Sequence, residues 1–344
     1  MNALPLQVRA ALSTPTADNS QGHRLNLTRD TIQVAYRPHP GIDLFGPDGH
    51  ATLIAFGALA HNALTVIGAD QEQLAIAPRG ADTILTLPRR DLPSDRGHPL
   101  FARHTNRFPY RHDAVPTDLQ ATLSSVTRPR VRLRLLTPGK SATRLIEVTR
   151  QCCQARFSNR ELHEWLMGSL RFTPEEVARG DGLDIRTLHL PPFGAAFMRF
   201  IRPWSTMERL NRWFRIYKTM AATEVALLGK APLIACVVGE DSRDGAFEAG
   251  RLMQQTWIRA NNEGLAVHPY YVVADQQTRL NEGRLPPEWE EPVGTAIEEL
   301  PQLLEFGKGE RLHMMLRVGR PVNKAPVRSR RLPESKLVSG LPAG

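Results

Sequence analysis

Two stretches rich in small apolar residues, Leu53 to Ile67 and Ala246 to Glu263, constrain this chain most, because each runs up to a glycine, Gly68 and Gly264. Glycine just past the last apolar turn takes the left-handed conformation that closes a helix. The first stretch contains His61 and Asn62, so it is too short and too polar to cross a bilayer and reads as a buried helix. The second sets Ala249, Leu252, Met253, Thr256, Trp257 and Ala260 on one face. Leu233 to Val238, bounded by Pro232 and Gly239, is a continuous apolar run, as expected of a buried central strand. A glycine-closed buried helix in each half hints at an internal duplication, carried by the order of elements more than by shared residues.

The other elements are mixed. Leu4 to Leu12 is weakly helical and leads into the turn-rich Ser13 to Gly22, a loop with backbone donors to spare. Thr31 to Tyr36, Thr83 to Leu87 and Val131 to Leu136 read as strands, and Ala142 to Ala155 and Asn159 to Met167 as helices. Pro99 to Ala102 could end a short helix, and Asp113 to Leu119 starts another with Pro116 in its first turn. Gly180 to Pro203, rich in Gly and Pro, is a long excursion suited to covering a cleft. Met207 to Leu228 predicts one long helix with Trp213, Phe214 and Tyr217 among its apolar positions.

Several function classes lack support. A hydrophobic content of 41% and charged content of 23% over 344 residues are those of a globular protein. Cys152, Cys153 and Cys236 lack the spacing of a redox or zinc motif, and no paired-histidine metal motif or G-x-S-x-G elbow occurs. Pro138-Gly139-Lys140-Ser141 looks like part of a phosphate loop, but Arg134 occupies the position of its first glycine. No secretory signal is visible, so a cytoplasmic location and no membrane partner are expected. The net charge of +9 fits nucleic acid, a phosphorylated ligand or plain solubility. Seven cations fall between Arg317 and Lys336, Lys324 among them, without aromatic platforms, which counts against single-strand nucleic-acid binding.

Arg103-His104-Thr105-Asn106-Arg107-Phe108 gathers phosphate-binding side chains into one turn. In a basic chain such a pair of arginines is also an ordinary solvated surface, so neighbouring segments must decide. The turn resembles the flavin-phosphate motif of the nitroreductase family: Arg, any residue, Ser or Thr, any residue, Arg or Lys, then an aromatic. Pro15-Thr16-Ala17-Asp18-Asn19-Ser20-Gln21 is similar to that family's Pro-Ser-x-x-Asn-x-Gln loop, and Arg330-Arg331-Leu332-Pro333 to its closing basic motif. Leu316 to Gly319 resembles the strand leading there, and Gly264 to Pro269 the helix end and loop beside the flavin. Here the proline-asparagine loop precedes the arginine turn, and Gly22-His23 stand where the family has Pro-Trp. That order resembles the tandem, Acg-type branch, in which one chain folds two nitroreductase-like halves.

The resemblance implies an α+β fold of two similar halves mimicking the family's homodimer, with mostly antiparallel sheets flanked by helices. Residues 1–98 would form a degenerate first half, 99–337 the second half with a lid near 180–203, and 338–344 a flexible tail. It implies one FMN per chain, NAD(P)H as electron donor, a small electron-poor acceptor, and a monomeric pseudo-dimer or a homodimer; phrases such as Gly180 to Leu183 also resemble relatives associated with ThiF-type partners. Carried over by position, Arg103, His104 and Thr105 would hold the phosphate, with Arg331 and Arg330 completing it. Arg107 would sit at the pyrimidine edge, and Pro15, Thr16, Ala17 and Asn19 would approach the ring from the first half. Pro269, Tyr270 and Tyr271 would flank flavin N5 through the backbone, or the tyrosines would be core. No side chain need be catalytic, since the cofactor carries the chemistry. The alternatives are a flavin-sequestering protein of the same fold and a basic module binding nucleic acid or a partner.

Overall fold

The computed structural model describes residues 4–39, 41, 43–93, 95, 97–323 and 327–340. The chain opens with α1 (Leu6–Leu12), strands β1 (His23–Leu27) and β2 (Thr31–Tyr36), α2 (His50–Thr65) and β3 (Thr83–Pro88). It continues through α3 (Thr117–Ser124), β4 (Val131–Leu136), α4 (Lys140–Phe157) and α5 (Arg160–Ser169). An irregular segment follows, with β5 (Leu170–Arg171), α6 (Pro174–Ala178), β6 (Leu183–Asp184) and α7 (Gly194–Phe200). Next come α8 (Trp204–Phe214), α9 (Ile216–Ala226), β7 (Leu233–Glu240), α10 (Arg243–Asn262) and β8 (Ala266–Tyr270). The chain closes with α11 (Val272–Asn281), α12 (Pro287–Ile297), α13 (Leu300–Leu304), β9 (Glu310–Gly319) and β10 (Val338–Gly340).

The result is an α+β architecture with two four-stranded sheets, ordered β10-β1-β2-β3 and β4-β7-β9-β8. Every pairing in them is antiparallel except β1 with β10. The second sheet is covered on both faces. Along β7, Leu233, Ala235 and Val237 enter the core shared with α10, whereas Ile234, Cys236 and Val238 enter the core shared with α4, α9, α11 and α12. That alternation is why β7 reads as an unbroken apolar run. The first sheet packs one face on α1 and α2, and β1 alternates buried and exposed residues.

Helices α2 and α10 pack directly against each other, and glycine sets their distance. A Cβ on Gly57 would fall 1.9 Å from the Phe247 carbonyl oxygen, and one on Gly250 would fall 2.0 Å from that of Ile54. The two contacts are reciprocal: each glycine meets the carbonyl three residues before the other glycine. Reciprocity of that kind is the mark of a two-fold contact. Asn62 and Gln254 add a buried hydrogen bond of 2.7 Å across the same pair.

Some elements differ from the sequence reading. Met207 to Leu228 is two helices, broken at Arg215, whose φ is +49°. Asn211 sustains the break, its backbone carbonyl accepting from Arg215 N–H and its side-chain oxygen from Tyr217 N–H. Pro116 stands before α3 in extended conformation, not in its first turn. Pro269 and Tyr270 belong to strand β8, not to a loop. Val338–Gly340, expected in a tail, pair with β1 as an edge strand, so the end of the chain completes the first sheet. Lys324 and residues 341–344 lie outside the described residues.

Candidate functional site

A cavity of about 680 Å³ is lined by segments between residues 15 and 55 and between residues 105 and 314. Its size falls within the range for a cofactor or drug-sized ligand. Of the residues singled out in the sequence, Pro15, Thr16, Ala17, Thr105, Arg107, Pro269, Tyr270 and Tyr271 line it. These segments are far apart in the chain and meet because strand β8 runs beside the arginine turn. Thr105 bridges to Val267, and Asn106 N–H donates to the Val267 carbonyl at 2.9 Å.

The loop from residue 15 to 21 is built against its own backbone preference. Asp18, Asn19 and Gln21 all have positive φ, of 46°, 59° and 52°. Three non-glycine residues in that region are costly and persist only where surrounding contacts over-determine them. Those contacts are present. Asn19 donates through Nδ2 to the Gly182 carbonyl at 2.9 Å and the Arg330 carbonyl at 2.8 Å. The fully buried Gln21 donates to the Gly180 carbonyl at 2.7 Å and accepts from Leu332 N–H at 2.9 Å. One loop therefore ties the first part of the chain to the 180–182 segment and to the C-terminal basic segment. Asn19 acts in that tie and does not line the cavity.

Arg103 and Arg331 stand behind the start of this loop. Arg103 donates through Nη2 to the Ser13 carbonyl and lies 4.6 Å from the centre of the Trp257 ring, while Arg331 donates to the Thr14 carbonyl, both bonds at 3.1 Å. Burial pushes the Arg103 guanidinium down to about 9, with repulsion from Arg331 and Arg328 adding to it, and burial pushes Arg331 down to about 10. Among the described residues no carboxylate is ion-paired with Arg103, Arg328 or Arg331, although eighteen ion pairs form elsewhere. Arg103 and Arg331, partly buried and close enough to repel each other without a counter-ion, make a seat for an anion.

The remaining residues have other placements. Arg107 is held below its usual range by burial, which outweighs the attraction of Asp18 and Glu224. His104 turns its ring to the Ala102 carbonyl, and Arg330 is exposed; neither lines the cavity. Tyr270 is buried core with its hydroxyl on the Glu224 carbonyl at 3.2 Å. Tyr271 starts a fixed chain of hydrogen bonds to His50 at 2.8 Å, from His50 to His313 at 2.9 Å, and from His313 Nε2 to the Glu240 carbonyl at 3.1 Å. The Glu240 carbonyl can only accept, so His313 carries its proton on Nε2, and because burial keeps both rings neutral, His50 is the Nε2–H tautomer as well and the Tyr271 hydroxyl donates to it.

Sequence reasoning missed Asp18, which accepts from Trp165 Nε1 at 2.9 Å, and His268. Burial and the charges of Arg107 and Arg317 hold His268 well below the usual histidine range, and its Nδ1 has no partner among the described residues. Arg317, seen in the sequence as one of the C-terminal cations and as part of the strand-like Leu316 to Gly319 but not as a site residue, donates to the carbonyls of Asn106 and Phe108 at 3.2 and 2.7 Å and so shapes the arginine turn. Its signal was its place on an apolar strand. The expected excursion lines the cavity through Leu183, Leu188, Leu190, Phe193, Phe197 and Met198. The cavity wall thus has a polar strip at Thr105, Arg107 and His268 and an apolar remainder, while Arg103 and Arg331 lie behind the Ser13–Thr14 backbone and do not line it.

No family model matches the chain. Over 272 residues, 76% of its length, it is 25% identical to "Uncharacterized protein MT1398" of Mycobacterium tuberculosis (strain CDC 1551 / Oshkosh), and it spans 38% of that curated relative. Among solved structures it is similar to a nitroreductase-like family protein from Bacillus cereus, at 14% identity and a TM-score of 0.36 over 72% of this chain and 96% of that one. It is similar as well to the FMN and NADPH-dependent nitroreductase NfnB from sphigopyxis sp. strain HMH, at 15% identity and a TM-score of 0.39 over 71% and 97%. A third is the FMN-dependent nitroreductase NfnB from Mycobacterium smegmatis in complex with NADPH, at 14%, 0.39, 69% and 94%.

Proposed function

We propose that this chain is an FMN-binding oxidoreductase of nitroreductase type, built from two halves in one polypeptide. The observation that carries the reading is the pair of partly buried arginines, Arg103 and Arg331, with the exposed Arg328 nearby, lying without a carboxylate partner among the described residues behind the loop that lines a 680 Å³ cavity. Their positions are those for which the sequence motifs imply a flavin phosphate. The unpartnered Nδ1 of His268 supports a polar ligand in the same cavity. The reciprocal contacts of Gly57 and Gly250 support the two-half arrangement.

FMN bound there would supply hydride transfer between NAD(P)H and a small electron-poor acceptor. The chain's own residues would bind and orient it. Arg103 and Arg331 balance the phosphate charge, and Thr105 adds a hydroxyl. Arg107 holds positive charge along the cavity wall, where it favours a ligand that gains electrons. Apolar residues of the 183–198 segment exclude water from the remaining wall. That covering favours a second reading, in which the flavin is sequestered from nicotinamide.

Denaturing the purified protein and identifying the released chromophore tests the first point. FMN is expected, at one equivalent per chain after reconstitution, and Arg103→Ala with Thr105→Ala should lower occupancy. An absence of FMN even after reconstitution would overturn both flavin readings. Anaerobic mixing with NADH and NADPH separates the two: bleaching supports turnover, and a flavin that stays oxidised supports sequestration.

A further inference from the structure

Large aromatic side chains stand in water along the segment from the loop before α7 to the end of α8. Phe193, Phe200, Trp213 and Phe214 are 89%, 62%, 75% and 74% exposed. Phe193 itself lines the cavity, and Trp213 and Phe214 come just before Ile216, which lines it too. The aromatics thus lie on consecutive elements, the loop before α7, α7 and α8, and this stretch reaches the cavity at Phe193 and again at Ile216. Monomeric proteins rarely expose such a cluster without a use for it.

The charges between these aromatics are positive with one exception. Arg199, Arg202, Arg209, Arg212, Arg215 and Lys218 are all exposed, and Glu208 is the one carboxylate between residues 193 and 218. Helix α8 turns Met207 into the core and leaves Arg209, Arg212 and Trp213 outward. A second copy of the chain is a poor occupant, because a two-fold contact through this surface would set these cations against themselves. An anionic lipid surface satisfies both components, with phosphates for the arginines and the headgroup boundary for the rings.

We propose that α7, α8 and the start of α9 form a docking surface for an anionic lipid bilayer. Phe193, Phe200, Trp213 and Phe214 enter the headgroup boundary, and the six cations hold the lipid phosphates. The contact is peripheral: among the described residues no helix is long and apolar enough to cross a membrane. This departs from the sequence expectation of no membrane partner.

The test is co-sedimentation of the full chain with vesicles of phosphatidylglycerol mixed with phosphatidylcholine. Binding is expected at low salt, with release at high salt and none to phosphatidylcholine alone. Each cation near an anionic surface contributes roughly fivefold in affinity, so the double variant Arg209→Glu, Arg212→Glu should bind at least about tenfold more weakly. Trp213→Ala with Phe214→Ala should also weaken binding. The charge-matched control Lys230→Glu, Lys308→Glu, placed elsewhere on the surface, should bind as the parent does.

Three results would overturn the proposal: a chain that stays in the supernatant, a control that loses binding as far as the Arg209 and Arg212 variant, or variants that change only self-association or single-stranded oligonucleotide binding. Circular dichroism checks that the exposed substitutions leave the fold intact. The readout needs no flavin, so its failure is separate from failure of the flavin reading.

Discussion

Replacing Arg331 with alanine distinguishes an anion seat from a structural tie, because the two predict different pairs of results. In the free protein Arg331 repels Arg103 and donates one hydrogen bond, to the Thr14 carbonyl at 3.1 Å. Losing a charged hydrogen bond costs about 1.5–3 kcal/mol. Removing the neighbouring charge offsets part of this. The whole depression of Arg103, from 12.5 to about 9, corresponds to roughly 5 kcal/mol, with burial the largest cause and Arg331 next. Arg331's share is the smaller part of that, so it offsets the lost bond only in part. The net stability change of the free protein is then on the order of 1 kcal/mol, and Tm in phosphate-free buffer should move by no more than about 3 °C. With an anion bound, the same substitution removes a charged partner outright, so affinity for FMN should fall roughly 10- to 150-fold. Calorimetry measures Tm, and fluorescence titration of the apoprotein with FMN measures affinity. A large fall in Tm with unchanged affinity would refute the reasoning and leave Arg331 as a tie for the Thr14 loop.

Two further outcomes follow from packing and titration. Gly57→Ala and Gly250→Ala would each push a methyl group into a backbone carbonyl of the facing helix, and each should destabilise by about 1–3 kcal/mol or more in chemical denaturation; unchanged stability at both would show that α2 and α10 do not meet as described. Burial lowers His23 and His61 to about 3 and His313 to about 4. Above pH 6.5 these groups are neutral in both states, but as pH falls below it the unfolded chain takes up protons that the native state refuses. Stability should therefore drop by about 1.4 kcal/mol per pH unit for each histidine between pH 6.5 and about 4, a loss that circular dichroism across that range would detect and that a flat profile would contradict.

The helices and strands with a clear apolar period were legible in the sequence. β2 and β4 match their expected limits, and α2, α10 and β7 match within a few residues, because burial on one or both faces leaves its period in the residues. β1, most of β9 and α11 to α13 were not: β1 is a short alternation that begins on the buried but polar His23, and Arg311, His313 and Arg317 obscure the pattern of β9. Those β9 side chains are buried through hydrogen bonds to distant carbonyls, which no local window contains. The break at Arg215 was equally hidden, because Asn211 creates it from four residues away.

The candidate site divides along the same line. The sequence by itself determined which local pieces exist: a turn rich in arginine, a turn-rich loop from Pro15 to Gln21, a basic C-terminal segment and two glycine-closed helices. Their order alone raised a cofactor phosphate as the reason for the turn. Only the tertiary structure decided that Arg103 and Arg331 are partly buried beside each other without a carboxylate, that Asn19 ties backbones together away from the cavity, and that His268 and Asp18 line it. The physical reason is that side-chain propensity and periodicity act over a few residues, whereas desolvation and charge pairing depend on which distant segments meet. Those meetings are set here by β8 beside the arginine turn, by β10 crossing to the first sheet, and by two glycines that let two helices touch.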